Sequence, residues 1–134
     1  MPITVKGPKE NEGKRKPEPP AGPDSSRGKA LLCADAADRF LAHDIVVLDI
    51  SRFSSFADYF IICSGKSSRQ VQGIADNIED TLRDSGFKPL GVEGKRDGHW
   101  VLMDYGDVVI HIFYEPVRSF YDLESLWADA PQLR

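Results

Sequence analysis

Cysteine is scarce, histidine is sparse and no long apolar run occurs: the 134 residues hold two cysteines and three histidines. Two isolated thiols, Cys33 and Cys63, build no disulfide framework and suit a reducing compartment. No stretch approaches the roughly 18 consecutive apolar residues that a membrane-spanning helix needs. Residues 1–20 lack the apolar centre of a signal peptide. A cytoplasmic protein with no membrane partner is therefore expected. His43, His99 and His111 are far apart, and neither His-x-x-x-His nor Cys-x-x-Cys occurs, so zinc spacing is missing. No Gly-x-Ser-x-Gly elbow is present to support a serine nucleophile.

Charge and proline divide the chain. Six of nine prolines lie within the first 23 residues, together with Lys14-Arg15-Lys16. Such a stretch buries too little apolar surface to offset the entropy of ordering, so residues 1–27 are expected to be a disordered tail. Residues 28–134 are expected to form one domain. From residue 30 onward ten Lys and Arg face seventeen Asp and Glu. A domain this acidic is a poor general ligand for nucleic acid and suits a basic protein surface better.

Hydrophobic periodicity gives the order αββαβββα: an α/β fold with a mixed five-stranded sheet and flanking helices. Ala30, Ala34, Ala37 and Leu41 suggest a helix over 29–42. The runs 45–50 and 58–63 read as strands, and Val71, Ile74, Ala75, Ile78 and Leu82 form a helical stripe ending near Gly86. A weaker strand is expected over 88–92, since it contains Pro89. Residues 100–105 and 108–113 read as a hairpin around Gly106-Asp107. Pro116 opens a last helix, whose expected apolar stripe is Phe120, Leu123 and Trp127.

The hairpin has two unlike faces. With an even loop, Val101, Met103 and Tyr105 share one side with Val108, Ile110 and Ile112, which reads as core. The other side carries Trp100, Leu102 and Asp104 with Val109, His111 and Phe113. Either a helix covers this mixed face or part of it stays open for a partner, and pattern alone leaves both readings standing. Open aromatics beside polar groups are typical of binding hot spots.

The search for chemistry finds little. Ser64-Gly65-Lys66-Ser67 follows a strand and opens a helix, as a phosphate loop does, but the signature glycine five residues before Gly65 is Phe60. Helix capping explains the segment. Mg²⁺ needs convergent oxygen ligands, and no Asp-x-Asp pair follows the Ser64-Gly65 turn. Asp104 and Asp107 flank a tight turn, where acids commonly serve the turn itself. An Mg²⁺-dependent nucleotidyltransferase using Asp49, Asp58 or Asp104 remains the alternative. An RNA-binding assembly factor acting through the tail is a third reading.

Several segments resemble the ribosomal silencing factor family, also called RsfS or iojap-like. They are Asp44-Ile45-Val46-Val47-Leu48-Asp49, Ala57-Asp58-Tyr59-Phe60-Ile61-Ile62-Cys63-Ser64-Gly65 and Ser67-Ser68-Arg69-Gln70-Val71. Val92-Glu93-Gly94, the run from Gly98 through Asp107, Val109 to Phe113, and the run from Arg118 through Trp127 follow in the family's order. The resemblance spans about residues 29–131. It implies a nucleotidyltransferase-like fold without catalytic carboxylates, hence no enzyme and no cofactor. It also implies binding to the fourteenth protein of the large ribosomal subunit, obstruction of subunit joining and repression of translation when nutrients are scarce. A part in large-subunit maturation is attributed to the family, and some members form homodimers. By this resemblance Trp100 is the apolar anchor, Asp104 and Asp107 meet basic groups, and Tyr105 or His111 shapes the rim. Arg118 and Tyr121 are further candidates that also suit fixing the last helix to the sheet. Tyr105 belongs to the core face by alternation, in conflict with that role.

Overall fold

A computed structural model describes residues 25–134. Most of the stretch expected to be a disordered tail therefore lies outside the described residues. Its last three residues do not: Ser25 Oγ accepts the Gly28 N–H at 2.9 Å and starts α1 (Ser26–Arg39). Five strands follow: β1 (His43–Asp49), β2 (Tyr59–Gly65), β3 (Gly91–Glu93), β4 (Trp100–Asp104) and β5 (Val108–Tyr114). Between β2 and β3 runs α2 (Ser68–Asp84), capped by Ser67 Oγ on the Gln70 N–H at 3.0 Å. After β5 come α3 (Glu115–Tyr121) and α4 (Leu123–Leu126).

The sheet order is β1-β2-β5-β4-β3, with β2 and β5 parallel and the other pairs antiparallel. The mixed five-stranded sheet and the hairpin register are as expected: Trp100 pairs with Phe113, Leu102 with His111 and Asp104 with Val109. The first two strands shift by one or two residues at their ends, and three elements differ more. The first helix starts and stops three residues early. The third strand is only Gly91–Glu93, because Pro89 has no N–H to offer a ladder. The expected single last helix breaks at Asp122, whose left-handed φ of 46° separates α3 from α4.

α1 and α2 cover one face of the sheet. Small residues on α1, including Ala30, Ala34 and Ala37, let it lie close, and the α2 stripe from Val71 to Leu82 is fully buried against Ile61, Met103 and Ile110. The opposite face packs Leu48, Phe60, Leu102 and Phe113 beneath Leu123, Trp127 and Ala130. The last residues then run along the open edge of β1: Asp49 N–H donates to Pro131 O at 2.8 Å and Leu133 N–H to Val47 O at 2.8 Å. That cover removes one free sheet edge. Among the described residues no helix is long and apolar enough to cross a membrane.

Candidate docking site

Trp100 opens β4 on the mixed face, and α3 crosses beside it. Its indole is half-buried, with the Phe113 and Tyr121 ring centroids each 4.9 Å away. The indole N–H donates to His111 Nδ1 at 3.2 Å. α3 buries none of its residues, and it holds Phe120 at 81% and Tyr121 at 53% exposure. His99, Trp100, Pro116, Val117, Phe120 and Tyr121 line a shallow groove of about 460 Å³. A smaller hollow of about 190 Å³ is lined by Glu93, Gly94, Trp100 and Leu102. Gly94 is required there: its φ is +81°, and a Cβ would stand 2.0 Å from the Trp100 carbonyl oxygen.

Trp100 and Tyr121 are thus brought together as one aromatic surface. His111 and Tyr105 are not part of it. His111 is fully buried, with Phe60 in a T-shaped contact at 4.7 Å and Phe113 stacked at 6.4 Å. Burial pushes its imidazole down to about 3, so it stays neutral at ordinary pH. Because Nδ1 accepts from Trp100, Nε2 carries the proton. Nε2 meets no acceptor among the described residues. His111 lies buried against Trp100, bonded to its indole N–H, and does not reach the rim. Tyr105 is 5% exposed in the core under the helices, as alternation required, and burial raises its phenol well above the ordinary value.

The acids stand at the other end of the hairpin. Four residue steps of about 3.4 Å separate Trp100 from Asp104, so the two do not share a patch. Asp104 Oδ1 accepts the Gly106 N–H at 2.8 Å and shapes the turn. Asp107 Oδ1 pairs with Lys29 Nζ at 2.8 Å and remains 37% exposed. Arg118 is structural: Nη2 binds Glu124 Oε2 at 3.0 Å and Nη1 donates to Ser64 Oγ at 3.0 Å. It ties α3 and α4 to the end of β2. Phe120 was assigned to the core stripe and proves to be the most exposed aromatic.

This surface suits apolar contact rather than bond making. Cys33 and Cys63 are buried, and burial pushes the Cys63 thiol up to about 12. Asp49 accepts from the Ser51 hydroxyl at 2.6 Å, and three strand spacings of about 4.8 Å separate β1 from β4, which carries Asp104. Among the described residues no three His, Cys, Asp or Glu side chains converge to hold a metal ion.

The family model described as "Ribosomal silencing factor during starvation" matches residues 23–134. The chain belongs to this family. It is 47% identical over 100 residues to ribosomal silencing factor RsfS of Bacillus subtilis, covering 75% of this chain and 85% of that protein. A mouse relative named mitochondrial assembly of ribosomal large subunit protein 1 is 30% identical over 64% of this chain and 39% of its own length. A crystal structure of a Chromobacterium violaceum protein superposes with a TM-score of 0.76 at 36% identity, covering 78% of this chain and 87% of that one. The part matched to the ribosomal silencing factor family contains the whole hairpin, α3 and the aromatic groove.

Proposed function

We propose that this protein docks on the large ribosomal subunit through the subunit's fourteenth protein and blocks subunit joining by occupying the space. It would thereby repress translation in the cytoplasm when nutrients are scarce. The observation that carries this reading is the groove beside Trp100, walled by two exposed aromatics on a helix that buries nothing. Apolar anchors of this kind contribute about 2–4 kcal/mol each when a partner desolvates them. The acidic character of residues 30–134 suits a basic ribosomal protein and speeds encounter with it. Asp107, half-open beside Lys29, is the acid best placed to add a peripheral contact. Such occlusion needs an interface of about 1,200–2,000 Å² and no cofactor, metal or turnover. The mouse relative's name, which concerns large-subunit assembly, favours a second role in maturation of the same subunit.

Co-sedimentation with purified large subunits tests the reading. Trp100→Ala alone is ambiguous, because the indole also packs on Phe113 and bonds His111. Phe120→Ala removes a ring that is 81% exposed. This variant should keep the wild-type melting temperature and bind subunits about 30-fold more weakly, by the tenfold-per-1.4 kcal/mol rule. Unchanged binding would reject the groove as the anchor. The nucleotidyltransferase alternative predicts heat on titrating nucleotide with Mg²⁺ in a calorimeter, whereas docking predicts none.

A further inference from the structure

Trp100 is also held from the helix layer on the opposite side of the sheet. The loop Gly94-Lys95-Arg96-Asp97-Gly98-His99 leads from β3 into Trp100 and contains no large apolar residue. Of its six residues only Gly98 is buried. Apolar packing therefore does not fix this loop, and polar contacts with α2 do. Gln72, half-buried on α2, makes the central one: its Nε2 donates to Lys95 O and to Arg96 O, each at 2.9 Å. A carboxamide nitrogen carries two protons, so it satisfies both carbonyls at once, which no carboxylate or apolar side chain of that length can do. Lys95 Nζ adds ion pairs with Asp76 and, at 3.9 Å, with Glu79 of the same helix. These three side chains are 31–57% exposed, and ion pairs so open to water hold weakly. Near the end of the loop Gly98 lies against the first residue of α2: its φ is +67°, and a Cβ would stand 2.6 Å from Ser68 O.

The same loop closes onto the groove residues. Gly98 N–H donates to Gly94 O at 3.0 Å, and Gly94 backs onto the Trp100 carbonyl. His99 O accepts the Tyr114 N–H at 2.8 Å, which joins the loop to the end of β5. His99 and Trp100 line the aromatic groove, and Gly94 and Trp100 line the smaller hollow. A shift of the loop thus reaches two groove residues directly. Glycines at both ends give the loop many other conformations once its ties to α2 are lost.

We infer that Gln72 is a positioning residue for docking: from the far side of the sheet it clamps the loop 94–99 through two carbonyls and so pre-sets His99 and Trp100 in the groove. It acts through the loop and not by touching the partner. A clamped loop spares the partner the cost of ordering it, so releasing the clamp weakens binding without removing a contact. The inference rests on the docking reading above and goes beyond it by placing part of the affinity outside the groove.

The test is Gln72→Leu in the full-length protein, which keeps a good helix former and removes both donors. Labelling with fluorotryptophan gives two fluorine signals, from Trp100 and the buried Trp127. At a temperature where melting shows the variant folded, the Trp100 signal should shift or broaden and the Trp127 signal should stay. Affinity for purified large subunits should fall about tenfold, the cost of ordering two side chains and their loop. Gly98→Ala drives the loop off Ser68 without touching Gln72. It should reproduce the pattern, and it decides alone if Gln72→Leu does not fold. A Trp100 signal that stays in place overturns the inference, and so does one that moves with no loss of affinity. Movement of both signals also overturns it, because the effect is then spread through the core. Phe120→Ala run alongside separates this inference from the reading beneath it. Weaker binding by Phe120→Ala but not by Gln72→Leu overturns the clamp and keeps the groove. Weaker binding by Gln72→Leu but not by Phe120→Ala rejects the α3 wall of the groove and keeps the clamp on Trp100. Wild type failing to bind subunits at all overturns both.

Discussion

The two faces of the sheet are made by the same strands but closed in different ways. On one face, helices of 14 and 17 residues lay apolar stripes across all the central strands. On the other, closure falls to helices of seven and four residues and the irregular chain after them. The strands answer accordingly. The well-covered face presents Ile61, Met103 and Ile110, while the thinly covered face presents Phe60, His111, Phe113 and Trp100. Large rings fill much of the space beneath the short helices, and the Trp100 N–H finds a partner in His111, while His111 Nε2 and Trp127 Nε1 have none among the described residues. A short cover also ends before the sheet does. Its edge leaves Trp100 half-open beside Phe120 and Tyr121, so the candidate docking surface lies where the lid runs out.

The contrast can be broken or sharpened by substitution. The largest effect belongs to the well-covered face. Ile110→Ala, at a fully buried site, should cost about 2–5 kcal/mol in urea unfolding, because the helices above cannot collapse into the hole. A loss below 1 kcal/mol would mean that this face is no better packed than the other. Next comes the pH response of the thin face. The native His111 imidazole titrates near 3, far below the ordinary value of 6.5. Between those values the unfolded chain binds a proton that the native state refuses. Its contribution to stability is therefore full above pH 6.5 and is lost as pH falls toward 3. From pH 6.5 to 5 the loss should be about 2 kcal/mol. His111→Phe should flatten that part of the profile, read as urea midpoints across pH. A slope that survives the substitution would show that the ring is not sealed. The smallest effect lies at the seam where α1 leaves the well-covered face. Leu41 holds a left-handed φ of 62°, so Leu41→Gly relieves strain and should raise stability by about 0.5–1 kcal/mol. Calorimetric melting checks the sign.

Much of the fold was legible because side-chain period reports backbone type directly. Alternation from Trp100 to Phe113 set the hairpin faces correctly, and the α2 stripe was read residue for residue. The docking site was half legible. Trp100 and Tyr121 could be picked out as aromatics on a mixed strand and an amphipathic segment. His111 and Tyr105 were misplaced because exposure depends on which elements close over a strand, and a period carries no such information. Asp107 was read without its partner Lys29, which lies 78 residues earlier in the chain. Phe120 was misread because one stripe was drawn through a single helix, whereas the left-handed Asp122 breaks that helix and turns Leu123 and Trp127 to a different side from Phe120.

Sequence alone determined the α/β class, the register of the hairpin and the family, since each depends on residue type and near-neighbour spacing. Tertiary structure alone decided which aromatic is buried and which is open, and which acids are spent on turns and ion pairs. Those outcomes are set by packing between segments far apart in the chain, where proximity comes from the closing of two unequal layers on one sheet.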